Sequence, residues 1–441
     1  MYIKKFEIRK LHGEYDYSIS FNKDITFLFG PNGCGKTIIL SILSYIITGK
    51  YYKLIDYTFS SLILTYSNNE KKDDKIIEIT INEDDKTNFM EIKVDEWIIR
   101  IDELSTLRER IIRNNDEDLD ASFEELYPEI SKIKNIFHYV YLPLNRLAST
   151  ETLHTDYYYN YSRPRRYYLN QNYSNTYLNE SLVVIEKLIK EACIKINANE
   201  ILINNSFRRK VLSSATTVSK ENPISKFLKE IDLINISEVL KEKESYLNTL
   251  KYLEILDDEL KEKITQFFDE FNKEYELHQK DKEKIGINYA FLYNDYLRIK
   301  QVVEFAKVNE KEKEKNRHNK DLFIEIINDF FKTSGTDKKI SISKEGEINF
   351  TTHNRDIKLK DLSSGEKQII ITFASYIFGI EDNTSGIYIV DEPEASLHLE
   401  WQSMFVESLL KSKKKIQLIF ATHSPELIGK YRGKEELLKH F

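Results

Sequence analysis

The run Gly30-Pro31-Asn32-Gly33-Cys34-Gly35-Lys36-Thr37 restricts this chain more than any other stretch of its sequence. It follows a short apolar segment, Ile25–Phe29, and precedes a longer one that reaches Thr48. A buried strand that ends in a glycine-rich loop and opens into a helix is the setting in which G-x-x-x-x-G-K-[ST] binds phosphate. The glycines let the backbone curl, so that the N–H groups of Asn32, Gly33, Cys34 and Gly35 face phosphate oxygens. The helix N-terminus adds a partial positive charge. Lys36 is expected on the outer phosphates of ATP and the Thr37 hydroxyl on its Mg²⁺. Cys34 stands where a small residue is usual and is read as packing, not redox chemistry.

A chain of 441 residues suggests two or three domains, or one large domain with an insertion. Hydrophobic residues at 41% supply a real core. Gly (13) and Pro (7) are scarce beside Tyr (28) and Phe (24), which argues for long regular elements. A net charge of −7 speaks against a globally basic nucleic-acid binder and leaves local patches open. The two cysteines, Cys34 and Cys193, have neither metal-ligand spacing nor a disulfide framework. With no secretory signal, a cytoplasmic location is expected. No apolar run is long enough to span a membrane, so no membrane partner is expected.

The pattern along the chain predicts an α/β fold with a mixed sheet, split by a long helical insertion. Strands are expected at Tyr2–Ile8, Tyr15–Phe21, Ile76–Ile81, Phe89–Ile101 and Phe137–Leu142. From about Ser149 the character changes, and Leu178–Lys332 reads as mostly helical. Leu253, Leu256, Leu260, Ile264, Phe267, Phe268 and Phe271 form one apolar stripe there. Asn309–Lys320 is a charge run without a stripe, read as a solvated turn or an exposed helix end. Strands return at Lys339–Ser343, Glu347–Thr352, Gly386–Val390 and Gln417–Thr422, with an amphipathic helix at Trp401–Lys411. Strand–helix–strand order implies parallel pairing with right-handed crossovers. The expected boundaries are 1–148, 149–322 for the insertion, and 323–441.

Three further motifs carry chemistry. Asp391-Glu392 ends the strand Gly386–Val390, where an acidic residue of a parallel sheet faces the phosphate-binding crevice. Asp391 is expected to hold Mg²⁺ through its water shell and Glu392 to act as general base on the attacking water. Leu362-Ser363-Ser364-Gly365-Glu366-Lys367-Gln368 opens an apolar helix. It is either a second anion-binding surface or a plain helix cap with Glu366 in the first turn. His423, in Ala421-Thr422-His423-Ser424-Pro425, follows a buried strand. It can reach a γ-phosphate and the attacking water, or it can be structural.

These four motifs in this order resemble an ABC-type ATPase, and the branch with the RecF, SMC and OLD proteins more than transporter subunits. The resemblance covers about 1–146 and 325–430. It implies an ATPase whose two protomers pack head to tail around two ATPs. Ser363, Ser364, Gly365 and Glu366 would then belong to the ATP-contacting signature, with Ser364 and Gly365 meeting the γ-phosphate held by Lys36 of the other copy. Ala395-Ser396-Leu397-His398 would take the D-loop position. The sequence departs from the family in lacking a Gln before Gln171; Asn145 is the nearest stand-in for that Mg²⁺-binding residue.

Within that branch the chain resembles ATPase subunits of the Septu and PARIS anti-phage systems and ATPases associated with some retrons. It implies a sensor or scaffold subunit, triggered by a phage protein and controlling a separate nuclease or toxin. A separate effector is expected because only residues 424–441 follow His423, too few for a TOPRIM nuclease. The alternative is a RecF- or SMC-like ATPase in DNA repair. Asp156–Tyr173 is crowded with Tyr and Arg, including Arg163, Arg165 and Arg166. Such a segment suits a partner protein or an oligomer contact, with DNA as the second candidate.

Overall fold

Alternating apolar and polar residues start antiparallel pairing at the very beginning of the chain. The computed structural model describes residues 1–67, 73–84, 87–95, 97–102, 104, 123, 125–130, 136–142, 173–216, 223–252, 256–282, 286–353, 355–380 and 385–438. β1 (Tyr2–Leu11), β2 (Tyr15–Ser20) and β3 (Ile25–Phe29) lead into α1 (Lys36–Thr48). β4 (Ser61–Ser67), β5 (Asp74–Asp84), β6 (Thr87–Val94), β7 (Trp97–Ile101) and β8 (His138–Leu142) follow. The helical stretch holds α2 (Tyr173–Thr216), α3 (Pro223–Glu230), α4 (Ile236–Tyr252), α5 (Asp258–Lys280) and α6 (Ile287–Thr333). β9 (Lys339–Ile342), β10 (Ile348–Thr352) and β11 (Arg355–Ile357) precede α7 (Ser364–Phe378) and β12 (Gly386–Asp391). Then come α8 (Leu399–Leu410), β13 (Ile416–Thr422), α9 (Pro425–Ile428) and β14 (Glu435–Leu437).

The chain divides into two compact units, Met1–Cys193 with Asn319–Phe441, and Ile194–His318. In the first, β2-β1-β4-β5-β6-β7 form an antiparallel sheet and β11-β10-β9 a smaller one. The third sheet, β14-β3-β13-β12-β8, is parallel throughout. β3, β13 and β12 are buried on both faces, whereas the edge strand β14 is not. Leu28, Ile387, Ile389 and Ile419 join α1 and the large antiparallel sheet in one core. Phe27, Tyr388, Val390, Leu418 and Phe420 join α7, α8, the start of α2 and the end of α6 in the other. Burial on both faces is why these strands read as unbroken apolar runs.

The structure departs from the sequence expectation in four places. Phe89–Ile101 is two strands: Asp95 turns at φ 51, and Val94 pairs back on Trp97. β4, between β1 and β5, lies outside the predicted strands; Leu62, Leu64 and Tyr66 alternate into the core. The stripe from Leu253 to Phe271 is not one helix, since Asp257 caps α5 by accepting from the Leu260 N–H (2.7 Å). Leu253 itself lies outside the described residues. The charge run Asn309–Lys320 lies inside α6 rather than in a turn.

The second unit explains that last result. Asn309 and Lys313, one helical turn apart, are buried. Asn316 Nδ2 donates to the Ile196 carbonyl of α2 (2.9 Å), and the Arg317 guanidinium holds Glu200 with two nitrogens. A polar stripe therefore does the pairing that an apolar stripe would usually do. The core of this unit is aromatic: Tyr289 meets Phe227 and Phe271 edge-on, with ring centres 4.8 and 5.4 Å apart.

Candidate functional site

β3 runs between β13 and β14 and delivers the chain to Gly30. Gly33 (φ 85) and Gly35 (φ 88) take left-handed backbone that a side chain would strain. At Gly35 a Cβ would also stand 2.9 Å from the Tyr17 hydroxyl, which donates to the Cys34 carbonyl at 3.3 Å. Tyr17 of β2 thus braces the loop from below. Cys34 is buried, with its sulfur filling the space beside Gly30. Lys36 Nζ donates to the carbonyls of Gly30 (2.7 Å) and Pro31 (3.0 Å), holding the loop closed on itself. Asn32, Gly33 and Thr37 are exposed.

Parallel register brings three strand ends together. Thr422 pairs with Phe29 just before the loop, and Asp391 pairs with Ala421. Asp391 is fully buried, and among the described residues neither carboxylate oxygen has a hydrogen-bond partner. Burial pushes its carboxyl up to about 6. The Thr37 hydroxyl and Lys36 pull it partway down without bonding it, while Glu392 and Glu394 push it further up. Such an orphaned buried carboxylate fits a cation.

Glu392 sits at φ 46, left-handed backbone that costs a non-glycine residue about 1 kcal/mol or more. Its N–H donates to the Ala421 carbonyl (2.8 Å), so the turn is pinned to β13. The side chain is partly exposed and reaches to 4.0 Å from His423 Nδ1. Nearer to that nitrogen is Glu394, at 3.1 Å, which sequence reasoning did not single out. Glu394 Oε1 also accepts from the Thr422 hydroxyl (2.7 Å) and the His423 N–H (2.8 Å). Its only signal in the sequence is a third acidic residue after Asp391 and Glu392.

The start of α7 is a capping box. Ser363 Oγ accepts from the Glu366 N–H (3.3 Å), and Glu366 Oε2 accepts from the Ser363 N–H (2.8 Å). Glu366 Oε1 takes Lys338 Nζ at 2.8 Å, so both its oxygens are occupied inside the fold. Ser363 and Ser364 remain exposed. A Cβ on Gly365 would lie 2.6 Å from the Ser396 carbonyl oxygen, so the signature glycine is pressed against the 395–398 segment of its own chain. Gln368 Nε2 donates to the Pro393 carbonyl (2.8 Å), a second tie between α7 and the acidic turn.

The structure therefore joins Lys36, Thr37, Asp391, Glu392 and His423 at adjacent strand ends. The helix that Ser363, Ser364, Gly365 and Glu366 open meets the turn after β12 through Gly365 and Gln368, and among the described residues no hydrogen bond links those four to the phosphate loop. Asn145 and the Tyr–Arg cluster from Asp156, with Arg163, Arg165 and Arg166, lie outside the described residues.

Residues 1–428 match the family described as "AAA ATPase domain". Over 85 residues the chain is 38% identical to the Septu protein PtuA of Bacillus mycoides (strain KBAB4), covering 18% of this chain and 12% of that protein. Over 168 residues it is 29% identical to the Retron Vc95 probable ATPase of Vibrio cholerae serotype O1 biovar El Tor, covering 34% of this chain and 30% of that protein. The chain thus spans well under two thirds of the length of these curated relatives. Among solved structures it is similar to the Smc head domain with an extended coiled coil from Pyrococcus furiosus, at 15% identity and a TM-score of 0.41 over 97% of this chain and 91% of that one. A Smc head domain with a coiled coil and joint from Pyrococcus yayanosii gives 13% identity and a TM-score of 0.36, over 97% and 93%.

Proposed function

This chain belongs to the AAA ATPase domain family, and on that footing we propose that it binds ATP with Mg²⁺ at the Lys36–Asp391 site and hydrolyses it. The observation that carries this reading is Asp391, a buried carboxylate with both oxygens unpartnered among the described residues, close to Lys36 and Thr37. Burying an unpaired carboxylate is costly unless a cation completes the site. Among the described residues no group of three or more His, Cys, Asp or Glu is placed to hold a metal. One carboxylate and one hydroxyl suit Mg²⁺, which takes its other oxygens from phosphate and water.

Each residue then has a task. Lys36 exchanges the Gly30 and Pro31 carbonyls for phosphate oxygens. Thr37 and Asp391 would hold the ion, which when bound would supply positive charge against the phosphate oxygens. Glu392, partly exposed beside His423, takes the proton of the attacking water. Ser364 and Gly365 close the site from a second copy, so that ATP is shared by a homo-oligomer. The cellular role we assign is a sensor or scaffold subunit of an anti-phage system that acts through a separate nuclease or toxin. Its support is the partial identity with the Septu and retron proteins.

Nucleotide binding and phosphate release test the site. Lys36→Ala should lose ATP binding. Glu392→Gln should bind ATP while releasing phosphate about 100-fold more slowly or worse. Wild-type hydrolysis by Glu392→Gln would refute the base assignment. The cellular role is checked by phage challenge: any protection of cells that carry this chain in its native gene context should vanish with Lys36→Ala.

A further inference from the structure

Phosphate chemistry alone leaves Glu394 without a purpose. Its side chain is only 3% exposed, against 22% for Glu392, so it does not reach solvent or substrate as Glu392 does. Among the described residues no Lys or Arg pairs with it, and its Oε2 is buried with no partner. A carboxylate buried this deeply costs free energy unless neighbouring donors offset it. Its contacts converge on one place, the end of β13: it accepts from the Thr422 hydroxyl and the His423 N–H, and the His423 ring approaches the same oxygen to 3.1 Å.

The acceptor side of this network is decisive. A carboxylate oxygen is an acceptor, so a proton on Nδ1, which lies 3.1 Å from it, is favoured over a bare lone pair facing that oxygen. Glu392 Oε1, at 4.0 Å from the same nitrogen, is beyond hydrogen-bond reach and does not compete. In a neutral imidazole the other nitrogen is then an acceptor, and which nitrogen is which is set by the bond the first one makes. We propose that Glu394 is a positioning residue that locks His423 in the Nδ1–H form and leaves Nε2 as the nitrogen that acts at the phosphate site. The assignment rests on reading His423 as part of an ATP site. Thr422, by holding the same Oε1 at 2.7 Å, keeps the carboxylate from turning away.

The full chain labelled with ¹⁵N-histidine, free of nucleotide and at alkaline pH, reports the ring directly. The His423 signals are identified by their loss in His423→Gln. Wild type should show a protonated Nδ1 and a bare Nε2. Glu394→Gln, whose amide oxygen still accepts, should keep that pattern. Glu394→Ala should shift the proton to Nε2, the form a neutral imidazole prefers without a partner. A wild-type His423 protonated at Nε2 overturns the proposal, and this reading does not require the alanine variant to fold. In turnover, Glu394→Ala and His423→Ala should each slow phosphate release about tenfold or more. The double variant should be no slower than His423→Ala; additive losses overturn the proposal. If wild type releases no phosphate, the ATPase reading fails, while the nitrogen pattern still decides the role of Glu394.

Discussion

Asp391 is a residue whose burial works against the fold and suits the Mg²⁺ proposed for it. Its carboxyl rises from an ordinary 3.8 to about 6, chiefly because it is buried. Between those values the folded chain binds a proton that the unfolded chain does not, so stability falls as pH rises through the window and the penalty persists above about 6. The shift corresponds to a cost on the order of 1–3 kcal/mol for the ionised form. Asp391→Asn should therefore make the nucleotide-free protein more resistant to denaturant at neutral pH, with the advantage shrinking to nothing as pH drops through that window. Mg²⁺ with ATP should reverse the ranking, because it stabilises only the protein that can hold the ion. Denaturation curves across pH, with and without Mg²⁺ and ATP, measure both. Asp391 was legible in the sequence because the strand Gly386–Val390 ends there. Glu394 was not, because its partners Thr422 and His423 are distant in sequence and meet it only when β12 and β13 pair.

At the scale of elements, α7 does two jobs with one turn. Ser363 and Glu366 satisfy the first N–H groups of the helix, the capping that its sequence allowed as one reading. The same turn lays Gly365 against the Ser396 carbonyl, and Gln368 bonds the Pro393 carbonyl one turn later. The signature helix and the acidic turn are thereby coupled inside one chain. Gly365→Ala would place its Cβ 2.6 Å from a backbone oxygen that cannot swing aside as a side chain can. It should cost about 1–3 kcal/mol, read as a lower unfolding midpoint in urea, whereas Ser364→Ala on the exposed side should leave that midpoint close to wild type. Elements with one strong period, such as α1 and the buried strands, were legible from sequence. α6 was not, because Asn309, Lys313, Asn316 and Arg317 pair with polar groups and leave no apolar stripe to find.

For the whole molecule, the arrangement of the site argues for more than one copy. The phosphate loop and the acidic turn come from one chain, yet Ser363 and Ser364 stay exposed, and among the described residues no hydrogen bond links them to the phosphate loop. ATP added to Glu392→Gln, which should bind without turning over, is expected to double the mass seen by light scattering. Introducing Ser364→Arg on that background should return it to a single chain. An unchanged mass with ATP bound would remove the shared-site reading while leaving the Lys36 assignment standing. No helix among the described residues is long and apolar enough to cross a membrane.

The sequence by itself determined the parts whose cause is local. Glycines at the positive-φ positions 33 and 35, Lys36 and Thr37 at the helix start, and Asp391 at a strand end follow from short-range backbone rules. The α/β class follows from apolar runs and their spacing. Only the tertiary structure decided the rest. Parallel pairing of β12 with β13 sets Glu394 under His423, and β2 brings Tyr17 beneath the phosphate loop. The packing of α7 on the acidic turn makes Gly365 a point of contact as well as a signature residue. Such contacts join residues far apart in the chain, so no periodicity or motif spacing encodes them; they exist once the strands have chosen their neighbours.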